Sequence, residues 1–311
     1  MKRLLFALPL WTACVRADSS APSVPPEISR QADVSVLAAP NKAYVFRIFE
    51  CPSADGLRRY RVFVGIPKIR PPKGGFPVWY ALDGNALLEY LNPENLDALV
   101  SAGDPPVLVL VGYATDRRFD TAARAYDYTP PDLQGKPMPD RLDSSRNNGG
   151  AAGFLDLLAG AIRHQAERGL PIDGGRRTLW GHSYGGVFVL YALSVRPAAF
   201  DRYVAADPSL WLQEGLVLRY TGRLSDEAAG KRLVIQKSGR REDRKPANPQ
   251  QAARLAERER ALSALPPDAA ERLAQGLRQK GVKVRYRLFA DLNHGQVLAA
   301  SFMHLLKDGE N

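Results

Sequence analysis

Apolar and polar positions alternate along KAYVFRIF and again along RRYRVFVGIP, with the turn-forming stretch CPSADGL between them. Period-two alternation around a Gly/Pro/Asp turn predicts a β-hairpin. The pattern then changes. GFPVWYALDG and PPVLVLVGYA are continuous apolar runs, as expected of strands covered on both faces. NALLEYLNPENLDALV, between them, reads as a helix. Further on, GGAAGFLDLLAGAIRHQAERG has helical spacing and ends at Gly169. RRTLWGHS is a strand, YGGVFVLYALSVRP a helix stopped by Pro197, RYVAADPS a strand, and KRLVIQKSG a strand entering a basic loop. Residues 248–280 predict one or two helices around Pro266-Pro267. KVRYRLFAD is the last strand and HGQVLAASFMHLLKD the last helix. Strands alternating with helices predict an α/β fold with a mostly parallel sheet flanked by helices, opened by an antiparallel edge. The segments 115–148 and 209–230 interrupt the rhythm and are expected to lie over the sheet as a lid. The aromatic residues in 115–148 argue against a disordered linker.

The first residues do not fit this pattern. MKRLLFALPLWTACVRA opens with the cations Lys2 and Arg3, followed by an apolar run too short to span a bilayer and small residues before a cleavage point after Ala17. Residues 1–17 are therefore expected to be a secretory signal, and Ser/Pro/Ala-rich residues 18–40 a flexible leader ahead of a single domain over 41–311. Cys14 raises lipidation as an alternative, which Trp11 disfavours. An exported chain cut after Ala17 keeps Cys51 alone, so no internal disulfide is expected. Four histidines without zinc-like spacing argue against a metal site, and no cofactor is expected. The net charge is +10, and 40 basic against 33 acidic residues leave +7 after the signal. That balance fits a solvated basic surface or an anionic small-molecule ligand. No groove-reading motif points to nucleic acid, nothing points to stable membrane insertion, and oligomeric state is not legible.

WGHSYGG places Ser183 in a Gly-x-Ser-x-Gly pattern where an apolar strand meets a helix. That is the setting of a nucleophile elbow, in which a strained turn lifts the serine hydroxyl above the sheet and small neighbours avoid collision. The alternative is an ordinary glycine-rich turn. A serine nucleophile needs a base. His294, after the last strand in FADLNHG, has the right distance and topological place, whereas His182 neighbours the nucleophile on an alternating strand and is expected to point away from the cleft, His164 lies mid-helix and His304 lies on the terminal helix. The acid is expected in the loop SGRRED, as Asp243, with Glu242 or no acid as alternatives. An oxyanion hole needs two N–H groups: Tyr184, following the serine, and Asn85, in the turn after FPVWYALD.

ALDGN, ARAYDYTPP, GGAAGFLDLL, WGHSYGGVFVLYAL, ADPSLW and LNHG occur in this order over roughly residues 40–307. In this the chain resembles esterase-D-type α/β-hydrolases, and most of all the periplasmic esterases that open ferric enterobactin and related catecholate siderophores. The resemblance implies an α/β-hydrolase fold, cleavage of a trilactone through an acyl-serine, Ser183 as nucleophile and His294 as base. It implies substrate contacts from Arg124, with Arg118 a weaker match, and Trp211 packing on a catechol ring. Structural roles stand beside these: Arg124 paired with Asp120 or Asp127, and Trp211 in the core. A basic chain with an Arg/Tyr-rich lid suits a trianionic aromatic complex. A general exported carboxylesterase acting on simple or cinnamoyl esters and a non-catalytic siderophore carrier are the competing readings.

Overall fold

A computed structural model of the chain describes residues 30–241, 246 and 248–308. The expected hairpin is β1 (Tyr44–Pro52) and β2 (Arg59–Pro67), paired antiparallel from Tyr44 opposite Pro67 to Pro52 opposite Arg59. β3 (Phe76–Leu82) and β4 (Val107–Tyr113) are the two continuous apolar runs, and every residue in both is buried. Their successive side chains enter opposite layers. Val78, Tyr80 and Leu82 join one core with Val109 and Val111, while Trp79 and Ala81 join the other with Leu108 and Leu110. This is the period-two geometry of a strand with no solvent face.

β5 (Met138–Pro139) and β6 (Asn147–Asn148) form a small separate hairpin. β7 (Ile172–His182), β8 (Arg202–Ala206), β9 (Arg232–Arg240) and β10 (Lys283–Asn293) complete the main sheet. Its order is β1-β2-β4-β3-β7-β8-β9-β10. β2 runs antiparallel to β4, and every pairing from β4 through β10 is parallel.

The helices follow. α1 (Gly84–Leu87), α2 (Pro93–Ser101) and α3 (Thr121–Asp127) precede α4 (Ala151–Leu157), α5 (Arg163–Glu167) and α6 (Tyr184–Val195). α7 (Leu216–Gly222), α8 (Pro249–Ser263), α9 (Ala269–Gln279) and α10 (His294–Asp308) complete them. α4, α6 and α9 pack on one face through Phe154, Phe188 and Leu273. α2 and α10 cover the other through Leu96, Leu99, Val297, Phe302 and Leu305.

Three expectations are revised. The helix read over NALLEYLNPENLDALV is broken after a 3₁₀ turn at Leu88–Tyr90. The residue before a proline avoids the helical region, so Asn92 is extended (φ −138°, ψ 167°) and caps α2 by accepting from Asn95 N–H at 2.8 Å. A π turn at Leu158–Ile162 separates α4 from α5. Residues 30–40, expected as the end of a flexible leader, are docked. Ala32 N–H donates to Asp116 O at 2.9 Å, Arg118 N–H to Arg30 O at 3.1 Å, and Val36 is buried in the core beside α10. Residues 1–17 lie outside the described residues.

The segments 115–148 and 209–230 both leave the carboxyl ends of sheet strands, and they interlock. Gln213 Nε2 donates to Pro139 O and Asn148 Oδ1, each at 2.8 Å. Asp127, at the end of α3, is buried on Arg58 at 2.9 Å and accepts from the Tyr60 and Tyr113 hydroxyls.

Candidate active site

β7 ends at His182 and α6 begins at Tyr184, so one residue makes the turn. Ser183 takes φ 61°, ψ −115°, a region that costs a non-glycine residue about 1–3 kcal/mol. Its N–H donates to Ala206 O at 3.0 Å, which ties the turn to β8. The two glycines of the pattern differ in need. A Cβ on Gly181 would sit 2.4 Å from Gly185 O, whereas one on Gly185 would make ordinary contacts at 3.6 Å with Leu82. Gly186 is the tighter of the two in the helix, with Pro208 Cα 3.0 Å from its Cβ position.

His294, first residue of α10, places Nε2 3.0 Å from Ser183 Oγ. Its Nδ1 is 2.7 Å from Asp207 Oδ2. Asp207 is the residue after β8 and has φ 40°. Its other oxygen, Oδ1, accepts from Lys237 Nζ at 2.9 Å and from Ser238 N–H at 3.2 Å. Burial alone would raise the Asp207 carboxyl. The hydrogen bond and charge of His294, together with Lys237, outweigh burial and hold it well below the usual carboxylate range. Serine, imidazole and carboxylate thus form one hydrogen-bonded chain, the arrangement that lets a serine act as a nucleophile.

Two supports flank this chain. His182 is buried, with its ring 4.7 Å from that of His294 and its Nε2–H donating to His294 O at 2.9 Å. Burial, then the neighbouring His294 charge, pushes the His182 imidazole down to about 3, so it stays neutral. The Ser209 hydroxyl lies 3.2 Å from Ser183 Oγ, and Ser209 N–H donates to Ser183 O at 3.2 Å.

Tyr184 and Asn85 each lie in the first turn of a helix, where N–H groups have no carbonyl four residues back. The Asn85 side chain is committed elsewhere. Its Nδ2 donates to Tyr113 O at 3.1 Å and Thr115 O at 2.8 Å, and its Oδ1 accepts Tyr113 N–H at 2.9 Å. Only its backbone N–H is left to serve the site.

The chain matches the Esterase family model, described as "Putative esterase", over residues 53–266. It belongs to this esterase family. The esterase is 37% identical over 282 residues to the apo-salmochelin esterase of Escherichia coli O6:H1, covering 86% of this chain and 80% of that protein. It is 35% identical over 175 residues to the ferri-bacillibactin esterase BesA of Bacillus subtilis, covering 53% of this chain and 58% of that one. Among solved structures it is similar to the enterobactin hydrolase IroE in complex with DFP. The TM-score is 0.69 at 33% identity, over 89% of this chain and all of that one (100%). The fold is that of an α/β-hydrolase, and the esterase is a serine hydrolase by family.

The residues expected from sequence fall into three groups in the esterase. Ser183 and Tyr184 follow β7, Asn85 follows the neighbouring β3 and His294 follows β10, so all four lie beyond the carboxyl ends of sheet strands. Asp243 and Glu242, expected as the acid, lie outside the described residues, and the position on His294 Nδ1 is occupied by Asp207 instead. Asp207 stands in the quoted ADPSLW, and its place directly after a parallel strand beside the elbow strand was the available signal.

The expected substrate arginines are engaged with protein. Arg118 is 1% exposed, paired with Glu89 and bonded to the Tyr90 hydroxyl at 3.0 Å, so the structure does not bring it into the cleft. Arg124 meets neither Asp120 nor Asp127; its Nε and Nη2 each bond Asp83 at 2.9 Å. Trp211 is largely buried and lines a cavity of about 290 Å³ with Leu142, Leu212 and Leu265. His164 is exposed on α5, and His304 contacts Arg287. Among the described residues no cluster of three or more His, Cys, Asp or Glu could hold a metal ion. No helix there is long and apolar enough to cross a membrane.

Proposed function

We propose that the esterase hydrolyses the ester bonds of a catecholate siderophore trilactone of the enterobactin type through an acyl-serine intermediate. The observation that carries this reading is the chain Ser183 Oγ–His294 Nε2 at 3.0 Å and His294 Nδ1–Asp207 at 2.7 Å, in a fold whose relatives are named for siderophore esters. Ser183 Oγ attacks an ester carbonyl carbon while His294 Nε2 takes its proton. The N–H groups of Asn85 and Tyr184 receive the negative charge on the carbonyl oxygen. Collapse of the tetrahedral intermediate breaks the bond to the seryl alkoxy oxygen of the lactone, and His294 returns the proton to it. Water, activated by the same imidazole, then cleaves the acyl-serine and regenerates the free hydroxyl. Asp207 holds the imidazole tautomer and stabilises the imidazolium in both halves.

The cavity beside Trp211 suits one aryl arm. Trp211 lies two residues beyond Ser209, and the lining adds Leu142, Leu212 and Leu265 together with Arg141 and Arg260, whose charges are paired with Glu214 and Glu257. Residues 1–17 have the composition of a secretory signal, which supports action outside the cytoplasm on imported siderophore.

The test follows products by mass spectrometry from ferric enterobactin, iron-free enterobactin and a small aryl acetate. Sequential appearance of linear trimer, dimer and monomer, lost in Ser183→Ala, is expected, with the ferric trilactone preferred over the aryl acetate. An intact trilactone beside rapid aryl acetate turnover would replace this reading with a general carboxylesterase. Unchanged turnover in Ser183→Ala would remove the mechanism.

A further inference from the structure

Asp83 ends β3 and opens α1, and it is a non-glycine residue in the left-handed region (φ 59°, ψ 40°). Such a conformation persists only where its surroundings over-determine it. Here they do. Its carboxylate, 1% exposed, takes both guanidinium bonds from Arg124 at 2.9 Å, and its N–H donates to the Tyr128 hydroxyl at 3.2 Å. Its carbonyl accepts the N–H groups of Ala86 at 2.9 Å and Leu87 at 3.3 Å, which closes the turn that carries Asn85. The orientation of the Asn85 N–H is therefore set by how Asp83 is held.

Arg124 reaches the other half of the oxyanion site as well. Its guanidinium carbon lies 5.6 Å from the ring centroid of Tyr184, with Tyr128 at 5.5 Å and Phe119 at 5.4 Å completing an aromatic enclosure. The Asp83 carboxylate also faces the elbow: Oδ2 would be 3.9 Å from a Cβ on Gly185. An uncompensated carboxylate beside the elbow opposes negative charge growing on a substrate oxygen, and in a dry site the opposition is strong.

We propose that Arg124 is a positioning residue for the oxyanion hole. It locks Asp83 in the left-handed turn that aims the Asn85 N–H, packs on Tyr184, and neutralises a carboxylate that would otherwise repel the oxyanion. This rests on the reading that Asn85 and Tyr184 supply the hole. It differs from a role in gripping an anionic substrate, because it acts equally on a substrate without charge.

The experiment uses p-nitrophenyl acetate, a neutral ester, and the anionic ferric trilactone side by side. The variants are Arg124→Met, Arg124→Lys, Asp83→Asn and the double variant Asp83→Asn/Arg124→Met. For Arg124→Met, kcat should fall about 10²–10³-fold on both esters, as loss of an oxyanion donor does, with KM changed less than about threefold on the neutral one. The double variant should recover at least about tenfold of that loss, since it removes the orphaned carboxylate. Arg124→Lys, which cannot make the paired bonds, should fall between.

A rise in KM confined to the trilactone with kcat intact would make Arg124 a substrate contact and overturn the proposal. So would a double variant no faster than Arg124→Met. Should Arg124→Met not fold, Arg124→Lys carries the test: a fall in kcat on both esters is expected, and a rise in KM confined to the trilactone with kcat intact overturns the proposal. Turnover surviving in Ser183→Ala would instead overturn the reading beneath it, whatever Arg124 does.

Discussion

Replacing Asp207 by asparagine exchanges one carboxylate oxygen for an NH₂ group, and the surroundings dictate which way the amide must turn. Oδ1 accepts from Lys237 Nζ at 2.9 Å and Ser238 N–H at 3.2 Å. An amide NH₂ placed there would face two donors, so the carbonyl oxygen keeps that side. The NH₂ then points at His294 Nδ1, where the carboxylate oxygen stood at 2.7 Å. A donor at that position requires Nδ1 to accept, which puts the imidazole proton on Nε2, 3.0 Å from Ser183 Oγ. The serine then faces a donor instead of a base. An acid-to-amide change of this kind costs on the order of 10⁴ in kcat, or about 5 kcal/mol of transition-state stabilisation. Steady-state kinetics on ferric trilactone and on a neutral aryl ester, with substrate affinity measured in a Ser183→Ala background, isolates the loss to kcat. Asp243→Asn, made alongside, should stay within about twofold of the parent. An Asp207→Asn enzyme keeping more than a tenth of its kcat would refute the argument, and a large loss in Asp243→Asn would return the acid to the loop after β9.

Three further outcomes follow from contacts in and near the site. Gly181→Ala drives a methyl to 2.4 Å from Gly185 O and should cost at least about 10²-fold in kcat through displacement of Ser183, whereas Gly185→Ala, with contacts at 3.6 Å, should keep most activity; equal kinetics in the two variants would count against the steric account. Arg118→Met leaves the Glu89 carboxylate short of its buried partner and should destabilise by about 3 kcal/mol in urea melts while KM for the ferric trilactone is unchanged; a raised KM without lost stability would restore Arg118 as a substrate contact. His182 has a folded value of about 3 against 6.5 in the unfolded chain, so the unfolded state binds more protons between those values and stability falls as pH drops below 6.5. The loss reaches about 2 kcal/mol at pH 5, so the stability gap between the parent and His182→Gln should narrow by that amount between pH 7.5 and 5; a constant gap would show that His182 does not titrate this way.

What could be read from sequence is what local physics enforces. β3 and β4 are legible because a strand buried on both faces has nowhere to put a polar residue. The elbow is legible because Gly181 is a steric requirement of the turn at Ser183. His294 is legible because it opens a helix directly after the last strand. The contacts that escaped are those between residues distant in sequence. Asp83 and Arg124 are 41 residues apart, and their pairing depends on α3 folding back over the end of β3. Ser209 meets Ser183 only because β8 lies beside β7. Residues 30–40 look like a linker by composition, yet Val36 finds a core to enter.

The acid escaped for the same reason, and the sheet order supplies the explanation. β8 is the immediate neighbour of β7, with His182 opposite Ala206, so the residue after β8 emerges one strand spacing, about 4.8 Å, from the elbow. The loop after β9 starts one strand further away. What β9 contributes is Lys237 and the Ser238 N–H, both on the far oxygen of Asp207. Those two donors fix the carboxylate plane and leave one oxygen directed at His294. Lys237 of β9 is thus the counterpart of the carboxylate that follows β8.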